Sequence, residues 1–195
     1  MPMKFTGQQL VWDGVGAWNA TSGMPGHQNS LEQHLSDKGP IPEGEYYVPL
    51  ALGGNAKVTT YKKKPDGSIS EAKLDTRAAI ESLQCIAMPG SPTEVLIFEN
   101  WGSNRVRLQK VKVKHRKAAH RDGFYLHDST KGFSHGCIEI DTSFFSSLRA
   151  YAAKNGKTSK VVKLIVDYGP DALTKGVSTL GSTKKSSTAV QVKCD

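Results

Sequence analysis

Short apolar runs, interrupted every few residues by Gly, Pro, Asn or Asp, recur along this 195-residue chain. Runs that short cannot complete several helical turns, so they restrict the chain to strands joined by turns. Gln9–Trp12 meets the turn signal Asp13-Gly14. Gly39-Pro40-Ile41-Pro42-Glu43-Gly44 is a rigid turn feeding an aromatic and apolar strand over Glu45–Leu52, and Lys62–Gly67 is another turn. Val95–Trp101, Gly123–His127, Ile138–Ile140 and Val161–Tyr168 read as further strands. Apolar spacing becomes helical over Phe144, Phe145, Leu148, Tyr151 and Ala152, with Asp141 or Thr142 as N-cap and Asn155-Gly156 as the stop. A second, short helix is expected over residues 76–85, capped by Thr76, with Ala79, Ile80 and Leu83 on one face. From Gly169 the composition turns to Gly, Ser, Thr and Lys, which predicts a domain over residues 1–168 and a mobile polar tail over 169–195. The expected fold class is mainly β with one or two helices.

The formal net charge of +8 is local. Arg105, Arg107, Lys110, Lys112, Lys114, Arg116, Lys117 and Arg121 fall in one span without an acid, and outside it 18 basic residues balance 18 acidic ones. Val106 and Leu108 share one parity and Val111 and Val113 the other, so the span reads as strand with a bulge or break near Gln109–Lys110. It forms either a solvated edge or a basic wall beside an anionic ligand. Base stacking calls for interleaved aromatics, and the span has none, yet its charge leaves a nucleic-acid-binding module over residues 105–121 as the alternative function. No apolar run is long enough to span a membrane. The first residues, MPMKFTGQQLVW, lack the pattern of a secretory signal peptide.

The chemistry concentrates in Gly123–Ile140. A cysteine thiol becomes a strong nucleophile when a nearby imidazole takes its proton. His127 ends a predicted strand, and a short loop with Gly132 returns the chain to Ser134-His135-Gly136-Cys137. Gly136 allows close approach of a substrate, and the amides of Gly136 and Cys137 are candidate oxyanion donors. No histidine follows Cys137, which disfavours enzymes whose cysteine precedes its histidine. Cys85 with His127 has that order, but Cys85 falls at the end of the predicted 76–85 helix, where no helix N-terminus activates it. His120, His127, His135 and Cys137 match no common zinc spacing, so neither metal nor cofactor is expected. Cys85 and Cys194 could pair in an oxidising compartment.

Ser134-His135-Gly136-Cys137-Ile138 with an upstream histidine resembles the signature of the L,D-transpeptidase catalytic domain. The commonest form of that family has a longer gap than the six residues Asp128–Phe133 found here. The compact spacing, the turn Gly39–Tyr46 and the segment Trp18–Gly23 resemble instead the L,D-transpeptidase-like effectors of the type VI secretion system. The resemblance spans about residues 5–168. It implies an L,D-transpeptidase-like β-sandwich or barrel core, with Cys137 as nucleophile and His127 as general base. Gly136 and Cys137 would hold the oxyanion, Ser134 and His135 would shape the pocket, and Asp128 would act, through its backbone carbonyl, as third member. Glu139 stands where the ordinary family often has an arginine, so carboxylate binding is expected from Arg105, Arg107 and Lys112, with Tyr125 beside them.

The implied reaction is removal or exchange of the terminal D-alanine of a peptidoglycan tetrapeptide stem through a Cys137 thioester. Whether water or a D-amino acid completes the reaction stays open. The resemblance also implies delivery by a type VI secretion component into the periplasm of a neighbouring Gram-negative cell. A cognate immunity protein follows as a partner, and neither membrane insertion nor specific nucleic-acid binding is expected.

Overall fold

The computed structural model describes residues 1–176 and 188–191. The chain opens with β1 (Met3–Phe5), β2 (Gln9–Trp12) and β3 (Gly16–Thr21), an antiparallel meander. After the Pro-rich turn come β4 (Gly44–Pro49) and β5 (Leu52–Asn55), then the hairpin β6 (Val58–Lys63) and β7 (Ile69–Leu74). Next are β8 (Ile80–Ser82), β9 (Ile86–Met88), β10 (Ser91–Ile97), β11 (Asn104–Arg107), β12 (Gln109–Val113), β13 (Tyr125–His127) and β14 (Ile138–Ile140). The helix α1 (Ser143–Asn155) leads to β15 (Val161–Val166), and β16 (Thr188–Gln191) lies further along the chain. The fold is mainly β with a single α-helix among the described residues.

Eleven strands form one sheet in the order β12-β4-β15-β1-β2-β3-β14-β13-β11-β8-β5. β11 and β12 stand eight places apart in that order, yet Leu108 alone separates them in the chain. The sheet therefore rolls until these strands meet. The expected break in the basic span is this corner, followed by a register shift between Lys110 and Lys112. Side chains on the inner face fill the roll, and α1 lays Phe144, Phe145, Leu148 and Ala152 into it. Trp12 and Trp18 meet Phe144, and Trp12 also meets Tyr151 at 4.6 Å between ring centres. Thr142 occupies the helix N-cap without a side-chain hydrogen bond. A smaller core of Ala56, Leu83, Ile86, Met88, Leu96 and Phe98 sits under β9 and β10 and the β6–β7 hairpin.

Two expectations need correction. Residues 76–85 do not form a helix, because Ile80–Ser82 is a strand between β11 and β5. The spacing of Ala79, Ile80 and Leu83 suited a helix, but Ile80 and Leu83 belong to different cores, and sheet pairing overrides so short a pattern. Nor does a mobile tail begin at 169. Residues 173–175 bridge to Asn29 and Thr21, and Thr174 is fully buried, with its hydroxyl donating to the Ser22 carbonyl at 2.7 Å. β16 pairs with β10. The rest of the expected tail, including Cys194, lies outside the described residues.

Candidate active site

Strand register explains how the site is built. Ile80, Val106, Leu126 and Ile138 stand side by side across β8, β11, β13 and β14, and face the main core. One residue along, Glu81, Arg105, His127, Glu139 and Thr21 form the neighbouring row and share the opposite face. All five are buried. A buried polar row is stable only when its members satisfy one another. Arg105 Nε donates to Glu81 Oε2 at 2.8 Å, and its guanidinium lies over the rings of Trp101 and Tyr125 at 5.5 and 5.0 Å. Ser129 Oγ lies 3.1 Å from His127 Nδ1 and donates a short hydrogen bond to Glu139 Oε2. Glu139 also accepts from the amides of Gly132, at 2.6 Å, and Lys131, at 3.3 Å, and so shapes the loop between the histidine and the cysteine.

Cys137 and His127 line one cavity of about 300 Å³, with Asn100, Trp101, Lys131, Phe133, Ser134 and His135. Cys137 is a free cysteine at the foot of β14. Trp101 packs edge-on against both Tyr125 and His127, at 5.0 and 5.4 Å between ring centres. Lys131 lays its ammonium 4.9 Å from the centre of the Phe133 ring. Burial pushes the Cys137 thiol up to about 11, against the Tyr125 backbone and the charges of Lys131, Arg121 and Arg105. Burial also drives His127 down to about 3, assisted by the Lys131 charge and opposed by a hydrogen bond to the Trp101 backbone. At neutral pH the resting pair is therefore a thiol beside a neutral imidazole, with no standing ion pair.

Three separated sequence segments hold the Cys137 turn. Ser134 N–H donates to the Gly23 carbonyl at 3.0 Å, and Ser134 Oγ donates a short bond to the Cys137 carbonyl. Ser22 Oγ accepts from Ile41 N–H at 2.8 Å and donates to the Gly136 carbonyl at 3.3 Å. Arg121 is buried and donates to the carbonyls of Gln33, Pro40 and Gly39 at 2.6, 2.6 and 3.0 Å. Tyr168 and Tyr46 hydroxyls donate to Ile41 and Pro42 carbonyls, each at 2.7 Å. Gly136 has φ +109°, and a methyl group there would strike Arg121 Nη2. The glycine is required by that backbone angle and by the guanidinium beneath it.

Several expected roles move. Gly136 N–H is directed at Ser134 Oγ, 3.3 Å away, rather than into the cavity. The Asp128 carboxylate accepts from Ser103 N–H, Asn104 N–H and Asn104 Nδ2 at 2.6, 2.7 and 2.8 Å, closing the turn that carries Trp101; the role expected of Asp128 is on its backbone carbonyl, which these bonds do not involve. His135 is exposed, with Nδ1 2.9 Å from the Asp37 carbonyl, and lines the cavity. Tyr125 lies buried under Arg105. Arg105 is committed to Glu81, Arg107 reaches the Thr76 carbonyl at 3.4 Å, and Lys112 is exposed on β12; none of the three lines the cavity. The basic span does not make a single face, because Lys110 and Arg121 bind carbonyls and Lys114 pairs with Asp167 at 2.5 Å. Cys85 is disulfide-bonded, which removes it as a rival nucleophile. Trp101, Ser129, Glu139 and Lys131 were missed as site residues. The Ser129–Glu139 contact had no signal in sequence spacing, whereas Lys131 was visible as a lysine inside the loop from His127 to Cys137.

The family described as the Tlde1 domain matches residues 16–164 of the chain, a stretch that includes the three segments joined at the Cys137 turn. No curated protein matches the chain.

Proposed function

The chain belongs to the Tlde1 domain family, a family of type VI secretion effectors, and on that premise we propose that it is a cysteine-dependent L,D-carboxypeptidase or exchange transpeptidase acting on peptidoglycan tetrapeptide stems. The observation that carries this reading is one cavity lined by Cys137, His127 and a cation, Lys131. As the stem peptide seats, His127 takes the Cys137 proton and the sulfur attacks the carbonyl of the third stem residue. The Cys137 N–H is the backbone donor we assign to the oxyanion. Collapse of the tetrahedral intermediate breaks the peptide bond, and the imidazolium returns its proton to the departing amine of D-alanine. Water, deprotonated by the same imidazole, then cleaves the thioester and leaves a tripeptide; a D-amino acid amine in its place gives exchange. Because burial keeps sulfur and imidazole neutral at rest, charge develops only as the substrate reacts. That arrangement protects the thiol before delivery. Lys131 receives a stem carboxylate in this scheme.

The deciding experiment incubates wild-type protein and Cys137→Ala with disaccharide tetrapeptides and reads products by mass spectrometry. Wild type should yield a product short of one alanine, or an exchanged D-amino acid, and Cys137→Ala neither. Unchanged tetrapeptide with wild type, or full turnover by Cys137→Ala, overturns the proposal. Directing the protein to the periplasm of a Gram-negative host should arrest growth, whereas cytoplasmic expression should not. A cognate immunity protein is proposed to cover the Cys137 cavity.

A further inference from the structure

We infer that Ser129 and Glu139 act as a positioning pair for His127, a hydroxyl-bridged carboxylate that orients the imidazole and offsets the charge it acquires from Cys137. The inference deepens the proposed function and rests on Cys137 and His127 being nucleophile and base.

The geometry has three parts. Glu139 is the direct cross-strand neighbour of His127 in the parallel pair β13–β14, so the two side chains share a face. Ser129 stands between them, 3.1 Å from Nδ1, with its single proton donated to Glu139. A hydroxyl whose proton is committed in that direction accepts from the ring, which favours the hydrogen on Nδ1; the Trp101 backbone carbonyl is a second acceptor for the imidazole. All three residues are buried, so the orientation is held without competition from bulk water.

The Asp128 carboxylate, the other acid next to the base in sequence, is occupied by the 103–104 backbone. The charged neighbours of the pair are Lys131 from the loop, Arg105 from β11, and Asp141, which shares with Ser129 and Glu139 a separate cavity of about 170 Å³. Burial raises the Glu139 carboxyl, and Ser129, the Gly132 amide and Lys131 oppose that rise. The step itself balances simply. The proton leaves sulfur for the imidazole, Nδ1–H tightens onto Ser129 Oγ, and Glu139 accepts the Ser129 hydrogen bond without taking the proton.

Two substitutions separate positioning from support. Ser129→Ala removes the bridge while Glu139 keeps both loop amides. Glu139→Gln keeps an acceptor for the Gly132 amide but can turn its NH2 toward Ser129. The hydroxyl then donates to Nδ1 and the tautomer reverses. The readouts are kcat and KM on the tetrapeptide, thermal stability, and the pH dependence of iodoacetamide alkylation at Cys137, located by peptide mass spectrometry. Each single variant should lose about 10²- to 10⁴-fold in kcat, the range of positioned acid–base catalysis, with KM nearly constant. The alkylation midpoint should move to higher pH in both, and the double variant should lose no more than the worse single one. Wild-type kcat with an unmoved alkylation midpoint in Ser129→Ala overturns the inference. So do losses that add in the double variant and follow thermal stability. Alkylation needs no stem peptide, so the pair is tested even if the substrate assignment fails.

Discussion

Gly136→Ala tests the construction of the Cys137 turn. At φ +109° a side chain costs about 1–3 kcal/mol in backbone strain. The added methyl also lands on Arg121 Nη2, and Phe124 stands 3.2 Å from it, so the guanidinium must move. The bond most exposed to that movement is Nη2 to the Gly39 carbonyl, 3.0 Å long and buried. A hydrogen bond from a charged group contributes about 1.5–3 kcal/mol. Strain and lost bond together predict a destabilisation of about 2.5–6 kcal/mol, a large part of the stability of an ordinary domain. Urea unfolding followed by tryptophan fluorescence would read it as a lower midpoint at constant m. Arg121→Lys supplies the control, since lysine keeps a cation but has no Nη2 under the glycine. In that background Gly136→Ala should cost only the strain, about 1–3 kcal/mol. A cost below about 1 kcal/mol in the parent, or an equal cost in both backgrounds, would refute the steric argument.

Other perturbations probe different parts of the chain. Arg105→Met removes the 2.8 Å bond to buried Glu81, which keeps Arg77 as its remaining cationic partner, and should cost about 1.5–3 kcal/mol by urea unfolding. Lys131→Met should raise KM for tetrapeptide about tenfold while kcat holds within about twofold, as expected for a residue that binds ground and transition states alike; an unchanged KM removes it as a carboxylate receptor. Burial pushes the Glu43 carboxyl up, but hydrogen bonds from His115, Gln33 and the Tyr168 amide, with the Lys114 charge, hold it below its ordinary 4.5. A lowered folded value means the stabilisation is complete above 4.5 and fades as pH falls through the folded value. Glu43→Gln should therefore melt below wild type at pH 7, and the gap in Tm should narrow below pH 4.5. A constant gap would refute that assignment.

Much of the candidate site was legible because its parts lie close together in sequence. His127 and Cys137 are joined by one loop, and a strand ending at each was readable from β-branched and aromatic residues. The Gly-Pro-Ile-Pro turn and the Trp18–Gly23 segment were legible as motifs, but their purpose was not. Their meeting at the Cys137 turn depends on hydrogen bonds between residues more than a hundred positions apart, such as Ser22 with Gly136. The basic span misled for a related reason. Charge density can be counted along a chain, whereas the burial of Arg105 and Arg121 against Glu81 and backbone carbonyls is a property of the rolled sheet.

Composition and spacing by themselves determined a mainly β chain with one long helix and a cysteine–histidine loop, because turn residues and side-chain period act over a few residues. Tertiary structure decided which groups support that loop. Cross-strand register, set over the whole sheet, put Glu139 beside His127 and turned Asp128 toward the Trp101 turn. It also made Ile80–Ser82, inside the segment expected as a helix, a strand, since the neighbouring strands β11 and β5 offered that backbone partners on both sides.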